Sequence, residues 1–105
     1  MEITFKSARM QKESENHNGL SRQHGKLQAN KIITRLNELC SAESLYDIWK
    51  LPQARLHALS GDLKGHFAIN LKHPYRMIIS PLNGDRADLK TVTKIQIDKL
   101  YCDYH

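Results

Sequence analysis

The chain has 105 residues, 40% hydrophobic and 26% charged, which allows one globular domain and excludes two full ones. The formal net charge is +5, and from residue 50 onward nine Lys or Arg residues face five acids. This excess favours a polyanion or an acidic protein as partner, although a merely solvated cationic surface has the same composition. No apolar run of about 18 residues and no signal-peptide pattern occurs, so we expect a cytoplasmic protein without a membrane partner.

The first half of the chain predicts a short strand followed by helices. Residues 3–5 alternate apolar and polar side chains, and residues 6–17 are polar enough for a short exposed helix. Within 24–40, apolar residues recur at steps of three and four, which predicts an amphipathic helix packed on a sheet. The segment 41–53 is apolar without a clear period, and we expect Trp49 there to pack into the core rather than to stack on bases.

The second half changes to the two-residue period of strands. Strands are predicted at residues 55–59, 66–72, 75–80 and 91–101, with a tight turn at His73 and Pro74. Phe67 is expected in the core. The predicted fold class is α+β, with two N-terminal helices packed on a small twisted, mainly antiparallel sheet in a single domain over residues 1–105.

The cysteine pattern gives no sign of a metal or a cross-link. Cys40 and Cys102 are far apart in sequence, and no CxxC motif or matching histidine spacing accompanies them. We therefore predict incidental or buried thiols, with no disulfide, no metal and no cofactor.

Three segments carry the most specific signal in the sequence. They are an L-x-G-D-x-x-G-x-aromatic-x-I strand at residues 59–69, a Tyr75-Arg76 strand after a short turn, and the ending Asp103-Tyr104-His105. In this order they resemble the HigB group of RelE-type toxins, which belong to type II toxin–antitoxin systems. The resemblance is good over the last half of the chain and extends to the first half only in layout. Ser60 departs from it, because family members often have a lysine there.

The resemblance implies a RelE-like fold and a ribosome-dependent mRNA endonuclease, or mRNA interferase, which inhibits translation and growth. The implied partners are the ribosome with its mRNA and a HigA-type helix-turn-helix antitoxin, through which alone the toxin would reach operator DNA. RNA is cut without a metal when its own 2′-hydroxyl attacks the adjacent phosphate. That reaction needs a proton acceptor, a proton donor and fixed positive charge.

The catalytic roles implied for this sequence fall on four residues. His105 would act as general acid or base, since its unperturbed pKa of about 6.5 allows either protonation state. Asp103 would orient it, and Tyr104 would donate to a phosphate oxygen or stack on a base. Arg76 would hold the scissile phosphate with its planar fork. Without the resemblance, a histidine at this position is more often part of a frayed tail, and such an arginine is more often a solvated edge residue.

A further set is predicted to contact the RNA backbone, which positions a strand without reading its sequence. Its members are Lys64, Lys72, His66, Arg55 and Lys94. Lys64 or Lys72 would supply the charge missing at Ser60, and His66 is a second possible proton carrier. Two other functions stay open at this point. One is a ParE-like toxin that inhibits DNA gyrase without cutting RNA, and the other is a non-toxic basic RNA-binding module.

Overall fold

A computed structural model describes residues 1–103, so Tyr104 and His105 lie outside the described residues. The described chain is α+β, as predicted. Its elements are β1 (Glu2–Phe5), α1 (Ala8–Glu15), α2 (His17–His24), α3 (Lys26–Ser41), α4 (Leu45–Trp49), β2 (His57–Ala58), β3 (Phe67–Asn70), β4 (Tyr75–Pro81) and β5 (Lys94–Asp103). Short 3₁₀ turns lie at Gly61–Leu63 and Leu89–Thr91. None of the helices within 1–103 is long and apolar enough to cross a bilayer.

Four helices replace the two that the sequence predicted. Ser7 caps α1, and the side chain of Asn16 accepts a hydrogen bond from the Gly19 amide at 2.9 Å, which starts α2 between the two predicted helices. Gly25 separates α2 from α3 with a φ of 88°, a left-handed value that suits glycine. The last helix, α4, lies in the segment without a clear period.

The five strands form one sheet in the order β1-β5-β4-β3-β2. The strands pair antiparallel except for β1, which runs parallel to β5 at one edge. The sheet is therefore mainly antiparallel, as predicted. The predicted strand at 55–59 shortens to two paired residues, and the predicted strand at 91–101 begins at Lys94 and continues to Asp103.

The core lies between the helices and one face of the sheet. Ile69, Met77 and Ile97 on the strands are fully buried, as is Ile32 on α3. Phe67 is buried as predicted, but the prediction for Trp49 is wrong, because 57% of that residue is exposed. In α4 the buried positions are Leu45 and Ile48, and Trp49 follows on the outer side of the helix.

Two register shifts between β4 and β5 determine which residues of β4 the second half of β5 pairs with. Ile79 opposes Ile97 and Ile78 opposes Lys99, so Asp98 is an extra residue in β5. A second shift follows before Cys102, which opposes Arg76. The end of β5 is thereby aligned with the start of β4. Both cysteines are free thiols, Cys40 exposed and Cys102 half-buried.

Candidate nucleic-acid interface

A cleft of about 590 Å³ lies at the end of the sheet where β3 ends and β4 begins. It is lined by Arg55, Leu56, His57, Asn70 and His73. Asn70 opposes Arg76 in the ladder, and Arg76 in turn opposes Cys102. These three positions alternate with core residues, so the row lies on the sheet face turned away from the helices. Arg76 is thus in the strand next to the cleft.

The backbone at Arg55 shapes one wall of this cleft. Arg55 has a φ of 45°, the only left-handed non-glycine residue in the described part of the chain. Its carbonyl lies 2.8 Å from Nδ1 of His57. This contact fixes the orientation of the imidazole at the cleft.

A buried guanidinium supports the floor of the cleft. Arg35 on α3 is 3% exposed, and it donates from Nε to the carbonyl of Asn70 at 2.8 Å and from Nη2 to the carbonyl of Gln53 at 3.0 Å. Its Nη1 pairs with Glu38 at 2.9 Å. The amide of Asn70 also donates to the carbonyl of Ala54 at 2.7 Å. Arg35 thereby joins α3, the segment before β2 and the end of β3.

The turn from β3 to β4 is fixed in the same manner. The Gln28 side chain donates to the carbonyl of Lys72 at 2.8 Å and accepts from the Lys72 amide at 3.2 Å. The next peptide bond, His73–Pro74, is cis. Since both backbone groups of Lys72 are held by α3, its exposed side chain and that of His73 project from a defined turn.

The structure describes two of the four predicted catalytic residues, Arg76 and Asp103. Arg76 lies beside the cleft on β4. Asp103 is exposed and opposes Tyr75, one step beyond the pair of Arg76 with Cys102. Tyr104 and His105 lie outside the described residues, so their predicted roles are untested.

The predicted RNA-contacting residues divide into two groups. Arg55 lines the cleft, and Lys72 directly precedes His73 in the turn that borders it. Lys64 and His66 lie at the opposite end of β3 from Asn70, about 13 Å away for His66 at the usual strand rise. Lys94 begins β5, about 26 Å along the strand from Cys102, and lies 3.9 Å from Glu2. The structure therefore brings two of the five to the cleft.

His66 is held by the protein on both sides of its ring. Its Nδ1 lies 3.2 Å from the carbonyl of Leu63, and its Nε2 lies 3.7 Å from Oδ2 of Asp98. The Asp98 side chain is 9% exposed, and its other oxygen accepts from Gln96 at 2.8 Å. Through these contacts His66 links the start of β3 to β5, and its predicted roles in RNA contact and proton transfer stay predictions.

Sequence reasoning did not find three of the cleft residues, His57, Asn70 and His73. His57 was part of a predicted strand, and His73 was part of a predicted turn. The available signal was the antiparallel order of the strands, which brings the start of β2, the end of β3 and the following turn to one end of the sheet.

No profile of a known protein family and no curated protein sequence matches this chain. Solved structures do match it. One is a chain of the YoeB–YefM complex from Staphylococcus aureus, with 20% identity, a TM-score of 0.55, and coverage of 100% of this chain and 97% of that chain. Another is a chain of a heterotetrameric YoeB–YefM toxin–antitoxin complex from Staphylococcus aureus, with 19% identity, a TM-score of 0.56 and the same coverage. The likeness establishes the fold. The predicted fold class is confirmed, because the described residues share the fold of a chain in these complexes.

Proposed function

We propose that this chain is the toxin of a type II toxin–antitoxin system and that it cuts mRNA on the translating ribosome. The observation that carries the proposal is the cleft with Arg55, His57 and His73 on its walls, next to Arg76 on the same end of the sheet. Its fold is that of a chain in a YoeB–YefM toxin–antitoxin complex, which supports a toxin. The three sequence segments support the HigB type.

The chemistry follows from the groups around the cleft. The guanidinium of Arg76 holds the scissile phosphate, and that of Arg55 adds positive charge at the wall. The imidazole of His57 accepts the proton of the ribose 2′-hydroxyl, whose oxygen attacks phosphorus. The bond from phosphorus to the 5′-oxygen breaks, and that oxygen takes a proton from His105. The products are a 2′,3′-cyclic phosphate and a 5′-hydroxyl end.

The remaining predicted residues support this step. Asp103 orients the imidazole of His105, and Tyr104 donates to a phosphate oxygen. Lys72 binds the RNA backbone where it leaves the cleft. Lys64, His66 and Lys94 contact ribosomal or messenger RNA outside it.

The proposed partners follow from the resemblance to HigB-type toxins, and the charge of the cleft supports an antitoxin among them. A HigA-type helix-turn-helix antitoxin covers the cleft with an acidic segment, because complementary charge favours that association. The toxin reaches operator DNA only through the antitoxin. Its other partner is the ribosome with bound mRNA, in the cytoplasm.

Primer extension on mRNA from cells that express the chain tests the proposal. We expect growth arrest and cuts inside translated codons. His57→Ala, Arg76→Gln and His105→Ala should each abolish the cuts while circular dichroism shows a folded protein. The control Lys31→Gln alters an exposed lysine on α3 that lies away from the cleft and should cut normally. Growth arrest with intact mRNA and loss of supercoiling by purified gyrase would contradict the nuclease and indicate the ParE-like alternative.

A further inference from the structure

Two further depressions continue the cleft around the end of the sheet. The first, about 430 Å³, shares His73 with the cleft and is also lined by Lys26, Lys72 and Tyr75. The second, about 380 Å³, shares His24 and Tyr101 with the first. The three hollows therefore adjoin one another at these shared side chains. We call the first and second depressions together the end groove.

The end groove is basic. Lys26 and Lys72 line its first part, where no carboxylate of the described residues contributes to the lining. Lys99 and Arg9 line its second part together with Glu13, which pairs with Arg9 at 3.3 Å. None of these three lysines forms an ion pair with a carboxylate in residues 1–103. A flexible, unpaired ammonium group contacts phosphates without demanding one strand geometry.

A row of aromatic rings crosses the end groove where its two parts meet. The ring centroids of His24 and Tyr101 are 3.9 Å apart, and those of Tyr101 and Tyr75 are 4.3 Å apart with the planes within 18°. Stacked rings beside lysines are the usual composition of a surface that binds single-stranded nucleic acid.

Two rings of this row, His24 and Tyr101, stay uncharged near neutral pH. Burial lowers the pKa of His24, and the nearby Glu13 opposes that shift. Burial, followed by a hydrogen bond with Tyr75 and the charges of Tyr75 and Asp103, raises the pKa of Tyr101 to about 12. His24 therefore acts as a flat ring rather than as a cation, and Tyr101 adds no negative charge beside a phosphate.

We propose that the end groove is a second binding site for single-stranded RNA, which takes the part of the strand that runs on from the cleft. Lys26, Lys72 and Lys99 contact its phosphates, and the ring row offers His24 as a stacking surface for a base. This inference rests on the proposed function. It adds that RNA long enough to extend beyond the cleft binds more tightly than RNA that fills only the cleft. The groove would serve to hold the strand while the cleft cuts it.

Fluorescence anisotropy with labelled 2′-O-methyl RNA tests this, because such RNA binds without being cut. The probes are a short strand of about 4 nucleotides and a long one of about 12, the span of typical single-strand sites. We expect the long strand to bind wild-type protein about tenfold more tightly than the short strand. Lys26→Gln/Lys72→Gln should remove most of this difference. It should also reduce the slope of log affinity against log salt by about 1.4, the value for two lost phosphate contacts.

The matched control is Lys31→Gln/Lys90→Gln, which removes the same charge from exposed positions outside the end groove and should leave the length dependence unchanged. His24→Ala should weaken long-strand binding about tenfold, and His24→Phe should restore it, since a base stacks equally on either ring. Equal losses in both double variants would mean that only total charge counts, and the inference would fail. Equal binding of both strands to wild type would also overturn it, whereas cutting of mRNA in cells tests the proposed function separately.

Discussion

Replacing Arg35 by methionine should destabilise the protein more than any ordinary surface change. Arg35 is 3% exposed and donates to the carbonyls of Asn70 and Gln53. Methionine fills a similar volume but donates nothing, so both carbonyls would remain inside the protein without these donors. The third partner, Glu38, has a side chain that is 21% exposed and can turn toward water.

The expected cost is about 3 kcal/mol. Each hydrogen bond from a charged donor contributes about 1.5–3 kcal/mol, so two lost bonds cost about 3–6 kcal/mol. The apolar thioether recovers about 1 kcal/mol by packing in place of a charged group. A domain of this size has a free energy of unfolding of about 5–15 kcal/mol. The variant should therefore fold but be much less stable, with its cleft disturbed because Asn70 and the segment at Gln53 lose a shared anchor.

Urea denaturation followed by circular dichroism measures this cost. The control is Arg9→Met, the same replacement in an exposed ion pair, where Arg9 lies 3.3 Å from Glu13 and its side chain is 91% exposed. That change should cost less than about 0.5 kcal/mol. A cost below about 1 kcal/mol for Arg35→Met would refute the view that the guanidinium anchors the cleft floor.

Four further changes have defined outcomes. Gly84→Ala should lower the urea midpoint, because the added Cβ would lie 2.3 Å from the carbonyl oxygen of Thr91 at a φ of 73°. Arg55→Gly should be about 1 kcal/mol more stable in urea than Arg55→Ala, since alanine keeps the left-handed strain at a φ of 45°. Gln28→Leu should cost about 1–3 kcal/mol in the same assay, since it removes the two hydrogen bonds to the Lys72 backbone. Burial lowers the pKa of His24 in the folded protein. The unfolded chain therefore binds a proton more readily, and the free energy of unfolding falls as pH drops through about 6.5. His24→Phe should lessen that fall in urea titrations from about pH 7.5 to 5.5.

The sheet was predictable because its signal is local. Alternation of apolar residues along β3 and β4 locates both strands, and Phe67 is buried as predicted. Alternation does not single out one buried face, because Ala68 and Ile78 on the other face are buried as well. The short strand β2 was harder, because two paired residues leave too little pattern to fix its ends. The continuation of β5 to Asp103 depends on two register shifts that no period reveals.

The helical half was less predictable for a different reason. The Gly19 amide donates a hydrogen bond to the side chain of Asn16, and this cap starts α2 in a polar segment between the two predicted helices. In α4, two buried residues, Leu45 and Ile48, are enough to hold five residues in a helix, and Trp49 is left outside. Local composition does not distinguish such a helix from a loop, because tertiary packing supplies most of its stability.

The cleft could be predicted only in part, because the residues that form it are held by contacts across the sequence. Arg76 was found from its motif, but His57 becomes a candidate base only once the left-handed backbone at Arg55 brings a carbonyl to its Nδ1. Arg35 carried a usable signal, since it stands within the apolar stripe three residues after Ile32 and four before Leu39. A charged residue at such a position must find partners inside the protein, and here the partners are the backbone groups beneath the cleft. Burial of the Arg35 guanidinium costs solvation free energy, but its hydrogen bonds fix the geometry of the cleft on which the proposed chemistry depends.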